Sequence, residues 1–287
     1  METENTAKFR GGVAVITGAG AGIGSGLARQ CASIGMTVVV TDVSSDRAEE
    51  VADQIRKSGG EADAMTVDVS HFKALDALAE AVYAKYGNRV RLLINNAGIE
   101  TLGFSWEIPA ERWESTLNIN IHGIVHGARA FIPRMLASGQ ECWIANLASV
   151  GAFGVMPTQT AYIMSKHAVQ SFSECLYLEM KVKQAPIHVS SVVPGMLKTS
   201  IFDAGAGAGE PQGAETYRSR MYHMMKDYGM DLDAGCKRII EGICANKFWV
   251  DTQPEMTTGA LQGRAKFLTE QRDPEIADEA RHLLGLS

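Results

Sequence analysis

Basic charge is in short supply in this chain of 287 residues: 27 Lys and Arg stand against 33 Asp and Glu, a formal net charge of −6. Without a positive field to neutralise phosphates, a nucleic-acid partner is excluded. Cysteines are few and unpatterned. Cys31, Cys142, Cys175, Cys236 and Cys244 form neither a C-x-x-C pair nor a cluster with histidine, so no metal site is expected. Their odd number argues against a disulfide framework and for free thiols in a reducing compartment. Long apolar runs are missing as well, none reaching the roughly 18–20 residues that span a bilayer. The opening METENTAKFR has no apolar signal core, and the closing GLS matches no lipidation or peroxisomal signal. The expectation is a cytoplasmic protein with no membrane partner. No Pro/Gly/Ser-rich linker divides the chain before about residue 204, which excludes an early domain boundary and favours one domain over 1–287.

What the chain does have is an alternation. Short strand candidates, VAVIT (13–17), TVVVTD (37–42), ADAMTVDV (62–69), RLLIN (91–95), CWIANLAS (142–149), IHVSSVV (187–193) and FWV (248–250), alternate with helix-periodic stretches. Two of those helices are long, about 111–138 and 158–184. Strands this apolar, joined by helices, imply an α/β fold: a doubly wound parallel sheet of about seven strands with helices on both faces, a Rossmann fold. A helical tail occupies about 255–287.

Gly-Ala-Gly-Ala-Gly occurs at 18–22 and again at 205–209. The first copy lies between a strand and a helix, where glycines allow a tight turn and helix N–H groups can face a diphosphate. G-x-G-x-x-G is not satisfied in any register; the pattern present is T-G-x-x-x-G-x-G, from Thr17 through Gly18, Gly22 and Ile23 to Gly24. At the end of the second strand, Asp42 can accept hydrogen bonds from ribose hydroxyls and repel a 2′-phosphate, which favours NAD over NADP. Arg47 is the residue that could offset that repulsion.

Tyr-x-x-x-Lys appears three times, at Tyr162/Lys166, Tyr177/Lys181 and Tyr222/Lys226. Each pair shares a helix face by its i,i+4 spacing. Context separates them. Ser149 ends a strand, at the carboxyl edge where α/β sites form, and Tyr162 follows it closely. Tyr177 is about 22 Å further along the same helix at 1.5 Å per residue, and Tyr222 has no comparable serine. A phenol with a pKa near 10 is a poor base, and an ammonium one turn away would lower that pKa. Ser149 could orient a substrate oxygen.

In family order, TGAGAGIG (17–24), Asp68-Val69, NNAG (95–98), Asn120, Ser149, YIMSK (162–166) and PGMLKT (194–199) resemble the short-chain dehydrogenase/reductase family over about residues 10–250. That resemblance implies a nicotinamide-dependent alcohol dehydrogenase or ketone reductase. It implies Asn120, Ser149, Tyr162 and Lys166 as the catalytic set, with Lys166 also on the nicotinamide ribose. Asn120 would hold a water in a proton relay, with Asn118 as its rival. It further implies that Asp68 and Val69 meet the adenine, that Asn96, Ala97 and Gly98 line the adenosine ribose, and that Pro194, Gly195, Leu197 and Thr199 surround the nicotinamide. Ala148 stands where the family often has a first serine of a pair. Family members are commonly homodimers or homotetramers through the two long helices.

The second glycine run has no strand before it and a Glu-Pro pair after it, so it reads as a hinge in a substrate lid over 200–230. Tyr217, Met221, Tyr222, Met224, Met225 and Tyr228, with Leu102, Phe153 and Met156, suggest a soft apolar wall for a bulky lipophilic or aromatic alcohol or ketone. The lid and tail resemble, more loosely, bacterial members acting on benzylic alcohols of lignin-derived aryl ethers; steroids, terpenoids and polyketides fit too. His122, His126 and His167 are expected in structural or surface roles. Alternatives are a catalytically silent NAD-binding sensor or scaffold, an NADP-dependent ketoreductase, and an epimerase or dehydratase of the extended branch, whose T-G-x-x-G-x-x-G pattern has a glycine where Ala21 stands here.

Overall fold

Seven short apolar segments pair side by side in the computed structural model, which describes residues 4–211 and 213–286. Residues 1–3, 212 and 287, which fall in the opening segment, lid and tail named above, lie outside the described residues. The strands are β1 (Val13–Ile16), β2 (Thr37–Asp42), β3 (Glu61–Thr66), β4 (Val90–Asn95), β5 (Cys142–Leu147), β6 (Ile187–Val193) and β7 (Trp249–Asp251). Their order is β3-β2-β1-β4-β5-β6-β7, every neighbouring pair parallel. The third strand stops at Thr66 rather than at 69, and Val67–Val69 cross the carboxyl edge as a loop.

The helices are α1 (Glu4–Ala7), α2 (Gly22–Ser33), α3 (Ser45–Lys57), α4 (Phe72–Tyr86), α5 (Ala110–Leu117), α6 (Gly123–Ser138), α7 (Thr160–Val182), α8 (Ala214–Tyr228), α9 (Leu232–Cys244), α10 (Pro254–Glu270) and α11 (Asp278–Leu284). The long helix expected over 111–138 is interrupted: a π turn, Asn118–His122, joins α5 to α6. Such one-turn widenings frequently mark functional positions, because they displace a side chain and disturb the local hydrogen-bond ladder. Among the described residues no helix is long and apolar enough to cross a membrane.

Residues of the inner strands are buried on both faces because each face carries helices. On one side Ile16, Val38, Val40 and Ile94 pack with Leu27, Ala48, Ile55, Ile239 and Ile243. On the other, Val15, Val39, Leu93 and Ile144 pack with Leu75, Val82, Phe131 and Leu176. Each such side chain contributes about 1.5–3 kcal/mol by leaving water. An amide ladder ties the sheet to α7: Asn95 donates to Asn146 at 2.9 Å, and Asn146 donates to Ser173 at 3.1 Å. Strand order reverses between β1 and β4. At that switch point the crossovers leave on opposite faces and open a cleft at the carboxyl edge.

Candidate active site

That cleft is a cavity of about 650 Å³, bounded by the first glycine turn, the ends of β2, β4 and β5, the start of α7 and the segment after β6. Gly18 sits in the left-handed region (φ 62°), and a Cβ there would come within 2.7 Å of Ala97 Cα. The strand-to-helix turn therefore closes only with glycine at 18. Asn96 locks it: its Nδ2 donates to the carbonyls of Thr17 and Gly18 at 2.9 and 3.0 Å. Thr17 Oγ1 accepts from the N–H groups of Asn96 and Ala97. Gly18, Gly22 and Ile23 line the cavity, with Gly22 and Ile23 opening α2. Gly24 does not; a Cβ there would lie 2.3 Å from Gly18 O, so its role is to let the helix pack on the turn.

Asp42, at the end of β2, also lines the cavity. It accepts from the N–H groups of Gly20 (3.1 Å) and Ser44 (3.0 Å) and from Arg47 Nη2 (2.6 Å). Arg47, which could offset its repulsion of a phosphate, is thus held against it. Asp68 and Val69 line the next wall. Burial tends to raise the Asp68 carboxyl, but hydrogen bonds from Ser70 and the nearby His71 outweigh it and hold the group below the usual carboxylate range. His126 Nδ1 donates to Val69 O at 3.1 Å, one of three histidines in supporting positions; His167 bonds Ile163 O and His122 meets Asn118. Asn96, Ala97, Gly98, Pro194, Gly195, Leu197 and Thr199 complete the lining expected for a dinucleotide.

Three of the expected catalytic side chains meet at the far end. Ser149 follows β5, and its hydroxyl lies beside Tyr162 while accepting from Gly151 N at 3.1 Å. Tyr162, in the first turn of α7, keeps part of its surface on the cavity. Lys166 is buried, donates from Nζ to Leu147 O at the end of β5 (2.8 Å), and lies 5.4 Å from the Tyr162 ring centroid. The lysine was expected to lower the tyrosine pKa. Instead, burial, with repulsion from the Glu100 carboxyl, raises Tyr162 above its ordinary range, against the effect of the Ser149 hydroxyl. Desolvating a phenolate outweighs what one neighbouring hydroxyl returns. Burial likewise lowers Lys166 to about 8, with Glu100 opposing.

Asn120 is fully buried, behind the cavity wall rather than on it. Its Oδ1 accepts from Ile99 N, and its Nδ2 donates to Ile99 O and Ser165 Oγ at 2.8–3.0 Å. Both amide hydrogens are committed. Asn118, its rival, is the one that lines the cavity. A Cβ on Gly98 would lie 3.4 Å from Asn120 Oδ1 and 3.7 Å from Lys166 Nζ, so the three groups converge.

The other tyrosine–lysine pairs have the same internal geometry, with ammonium-to-ring distances of 5.3 Å at Tyr177 and 5.9 Å at Tyr222. Tyr177 packs on Phe248 and Tyr222 on His223, away from the cavity.

The substrate end differs in detail from expectation. Met221 and Met225 of α8 line it, joined by Met196, Ile201, Phe202 and Met256. Leu102 and Tyr217 are buried in the cluster behind, with Met156, Tyr222 and Met224 packed against it. Phe153 belongs to a separate cluster, and Tyr228 is 80% exposed. The second glycine run forms a 3₁₀ turn, Ala204–Gly207, and a Cβ at Gly207 would lie 2.5 Å from Arg218 Nε. Close approach to a buried guanidinium, not freedom alone, requires glycine there. Sequence reasoning missed Glu100 and Gln159, which also line the cavity and belong to no motif.

Similarity to known proteins agrees with this geometry. A family model described as short chain dehydrogenase matches residues 12–206. The probable oxidoreductase EphD of Mycobacterium tuberculosis is 35% identical over 186 residues, 65% of this chain but only 31% of that protein. A short chain dehydrogenase/reductase from Burkholderia phymatum, solved in complex with NAD, matches at TM-score 0.87 and 32% identity, covering 93% of this chain and 97% of that one. A metagenomic short-chain oxidoreductase in complex with NADP matches at TM-score 0.61 and 32% identity, covering 66% and 84%.

Proposed function

The chain belongs to the short-chain dehydrogenase family, an NAD(P)-dependent oxidoreductase, and from that premise we propose that it interconverts a secondary alcohol and its ketone on a bulky apolar or aromatic substrate, with NAD as cofactor. The observation that carries this reading is the junction of Ser149, Tyr162 and buried Lys166 at the carboxyl end of β5, opening onto an apolar cavity end.

The residues present fit a dinucleotide. The Gly18–Gly22 turn and the start of α2 would hold the diphosphate, Asp42 the adenosine ribose, Asp68 and Val69 the adenine, and Asn96–Gly98 the wall beside them. Lys166, Pro194, Gly195, Leu197 and Thr199 would hold the nicotinamide half. When bound, that group supplies the hydride acceptor or donor.

The protein's own task is the proton. Ser149 and Tyr162 present two hydroxyls to one substrate oxygen. Because burial keeps Tyr162 neutral, its O–H is ready to donate to a developing alkoxide in the reducing direction. In the oxidising direction Tyr162 O must receive the carbinol proton, and the Lys166 charge beside the ring favours the phenolate that does so. With its affinity for a proton lowered to about 8, Lys166 Nζ can also exchange one near neutral pH. Asn120 holds the Ile99 backbone beside that lysine; as its side-chain amide is committed, any part in a relay runs through its main chain.

Asp42 favours NAD, since a 2′-phosphate would meet a carboxylate already engaged by two N–H groups. Arg47, half-exposed and 2.6 Å from Asp42, is what supports NADP as the second reading. The outer face of α7 carries exposed Met164, Cys175, Leu178 and Val182, which supports a homo-oligomer formed through the long helices.

The test is steady-state reduction of NAD and NADP in parallel over a panel of lipophilic secondary alcohols. Tyr162→Phe should lower kcat by about 10²–10⁴-fold while leaving NADH affinity within about threefold. Undiminished turnover in Tyr162→Phe would sink the mechanism.

A further inference from the structure

One carboxyl in the cavity has no place in the chemistry above. Glu100, in the segment after β4, is 3% exposed, yet it lines the cavity together with Gln159 and Tyr162. Its backbone is fixed from two sides. Arg112 donates to Glu100 O at 2.8 Å, and Asn120 clasps the preceding Ile99 at both its N–H and carbonyl. Gln159 lies beside the carboxyl and is itself held by the Tyr217 hydroxyl, which donates to Gln159 Oε1 at 3.2 Å.

One carboxyl oxygen, Oε1, is buried and has no hydrogen-bond partner. The charges near it are Arg218, Glu210, Lys166 and Arg112. Arg218 is committed elsewhere: Nε and Nη2 to Glu210, Nη1 to Ile201 O. Lys166 gives one of its three N–H groups to Leu147 O, and no hydrogen bond joins it to Glu100 Oε1. Burial, only partly offset by Arg218 and Gln159, pushes the Glu100 carboxyl up to about 8, so it holds its proton at neutral pH. A protonated carboxyl both donates and accepts, so this group in the cavity wall keeps hydrogen-bonding capacity that the protein itself does not use. An acid serving only the lid would have its oxygens satisfied by the lid, as Glu210 has.

We propose that Glu100 is a specificity-determining residue whose carboxyl hydrogen-bonds a second oxygen function of the substrate, close to the carbon that reacts at Tyr162. Preferred substrates are then diols or hydroxy-ketones with an apolar body, rather than simple alkyl or aryl carbinols. The inference rests on the carbinol reading above and deepens it. The apolar end, with Met221, Met225 and Phe202, takes the body of the substrate, and Glu100 with Gln159 takes its second oxygen.

Two matched pairs test it: 1-phenylethane-1,2-diol against 1-phenylpropan-1-ol, and 1-phenylpropane-1,3-diol against 1-phenylbutan-1-ol, each exchanging one hydroxyl for one methyl. The wild-type protein should prefer at least one diol over its partner by about tenfold or more in kcat/KM. Glu100→Leu should bring that ratio close to one, chiefly through KM, and Glu100→Gln should retain part of it. Glu100→Met replaces the leucine variant should that variant fail to bind NADH. Calorimetric affinity of the four compounds for the NADH complex gives the same ratios without turnover. A preference that survives Glu100→Leu and Glu100→Met, or no preference for either diol in wild type, overturns the proposal. Turnover of the carbinols without a diol preference refutes the role of Glu100 alone. A Glu100-dependent binding preference without turnover refutes the carbinol reading and leaves the site standing.

Discussion

The lid should depend on one ion pair, and its removal has a calculable effect. Arg218 on α8 and Glu210 before it are 6% and 4% exposed in their side chains. Arg218 reaches Glu210 through Nε and Nη2 at 3.0 and 2.5 Å and Ile201 O through Nη1 at 3.0 Å. Glu210 Oε1 also accepts from Leu102 N at 2.7 Å, which fastens the lid to the segment beyond β4. In Arg218→Met the glutamate would be left buried with the Leu102 N–H as its remaining bond in this set. Removing one partner of a buried pair costs about 3–5 kcal/mol. The nearby Arg112 charge recovers some of that, so the lower end applies. The loss falls on docking of α8, not on the sheet, because the pair joins only lid segments and Leu102. About 3 kcal/mol raises the open population of α8 by roughly 150-fold. Amide hydrogen exchange reads this directly, with residues 214–228 compared against β2 as an internal reference. A double variant, Glu210→Gln with Arg218→Met, should recover at least about 1 kcal/mol of the loss, since no buried charge is stranded. Exchange in α8 within about threefold of wild type in the single variant would refute the reasoning.

Asp42→Ala removes the carboxylate and frees Arg47 for a 2′-phosphate, so the NADP-to-NAD ratio of kcat/KM should rise by about 10–100-fold; an unchanged ratio would show that Asp42 does not set the preference. The folded Glu100 titrates near 8 against an ordinary 4.5, so between those values the folded state binds the extra proton and this group's stabilisation is lost as pH rises from about 4.5 to about 8. Glu100→Gln should therefore flatten the fall in the urea midpoint across that window. Lys166, whose folded value is lowered to about 8 from 10.5, acts only above it and with the opposite sign. Equal slopes in the two proteins would contradict the burial argument. Leu178→Glu with Val182→Glu, on the exposed face of α7, should lower the mass seen by sedimentation equilibrium, and no change in mass would place the oligomer contact elsewhere.

Much of the architecture was legible because period and chemistry agreed along the chain. Seven strand candidates became seven strands, and the first glycine turn was readable since a strand before it, a helix after it and Asp42 beyond it all constrain one another. The interruption of the 111–138 helix was not legible. Nothing in NINIHG departs from helical spacing, and the partners that Asn120 meets from the π turn, Ile99 and Ser165, are brought to it only in the folded chain. The apolar wall was half legible for the same reason. Methionines and tyrosines announce an apolar surface, but which of them faces the cavity is set by how α8 docks, and that docking rests on Glu210 and Arg218, which no periodicity links.

Glu100 shows where residue identity stops being informative. In the sequence it is one acid among 33, directly after NNAGI, with no spacing to a partner. Its neighbours Gln159, Tyr217 and Arg218 come from distant parts of the chain, so the environment that keeps its proton exists only after α7 and α8 are in place. The three tyrosine–lysine pairs make the complementary case. Their spacing and their ring-to-ammonium distances are alike, 5.4, 5.3 and 5.9 Å, yet only Tyr162 has Ser149 beside it and a cavity in front of it. A motif fixes what two side chains can do to each other. What they can do to a substrate depends on the strand end they stand at, and on an unpaired carboxyl that no motif includes.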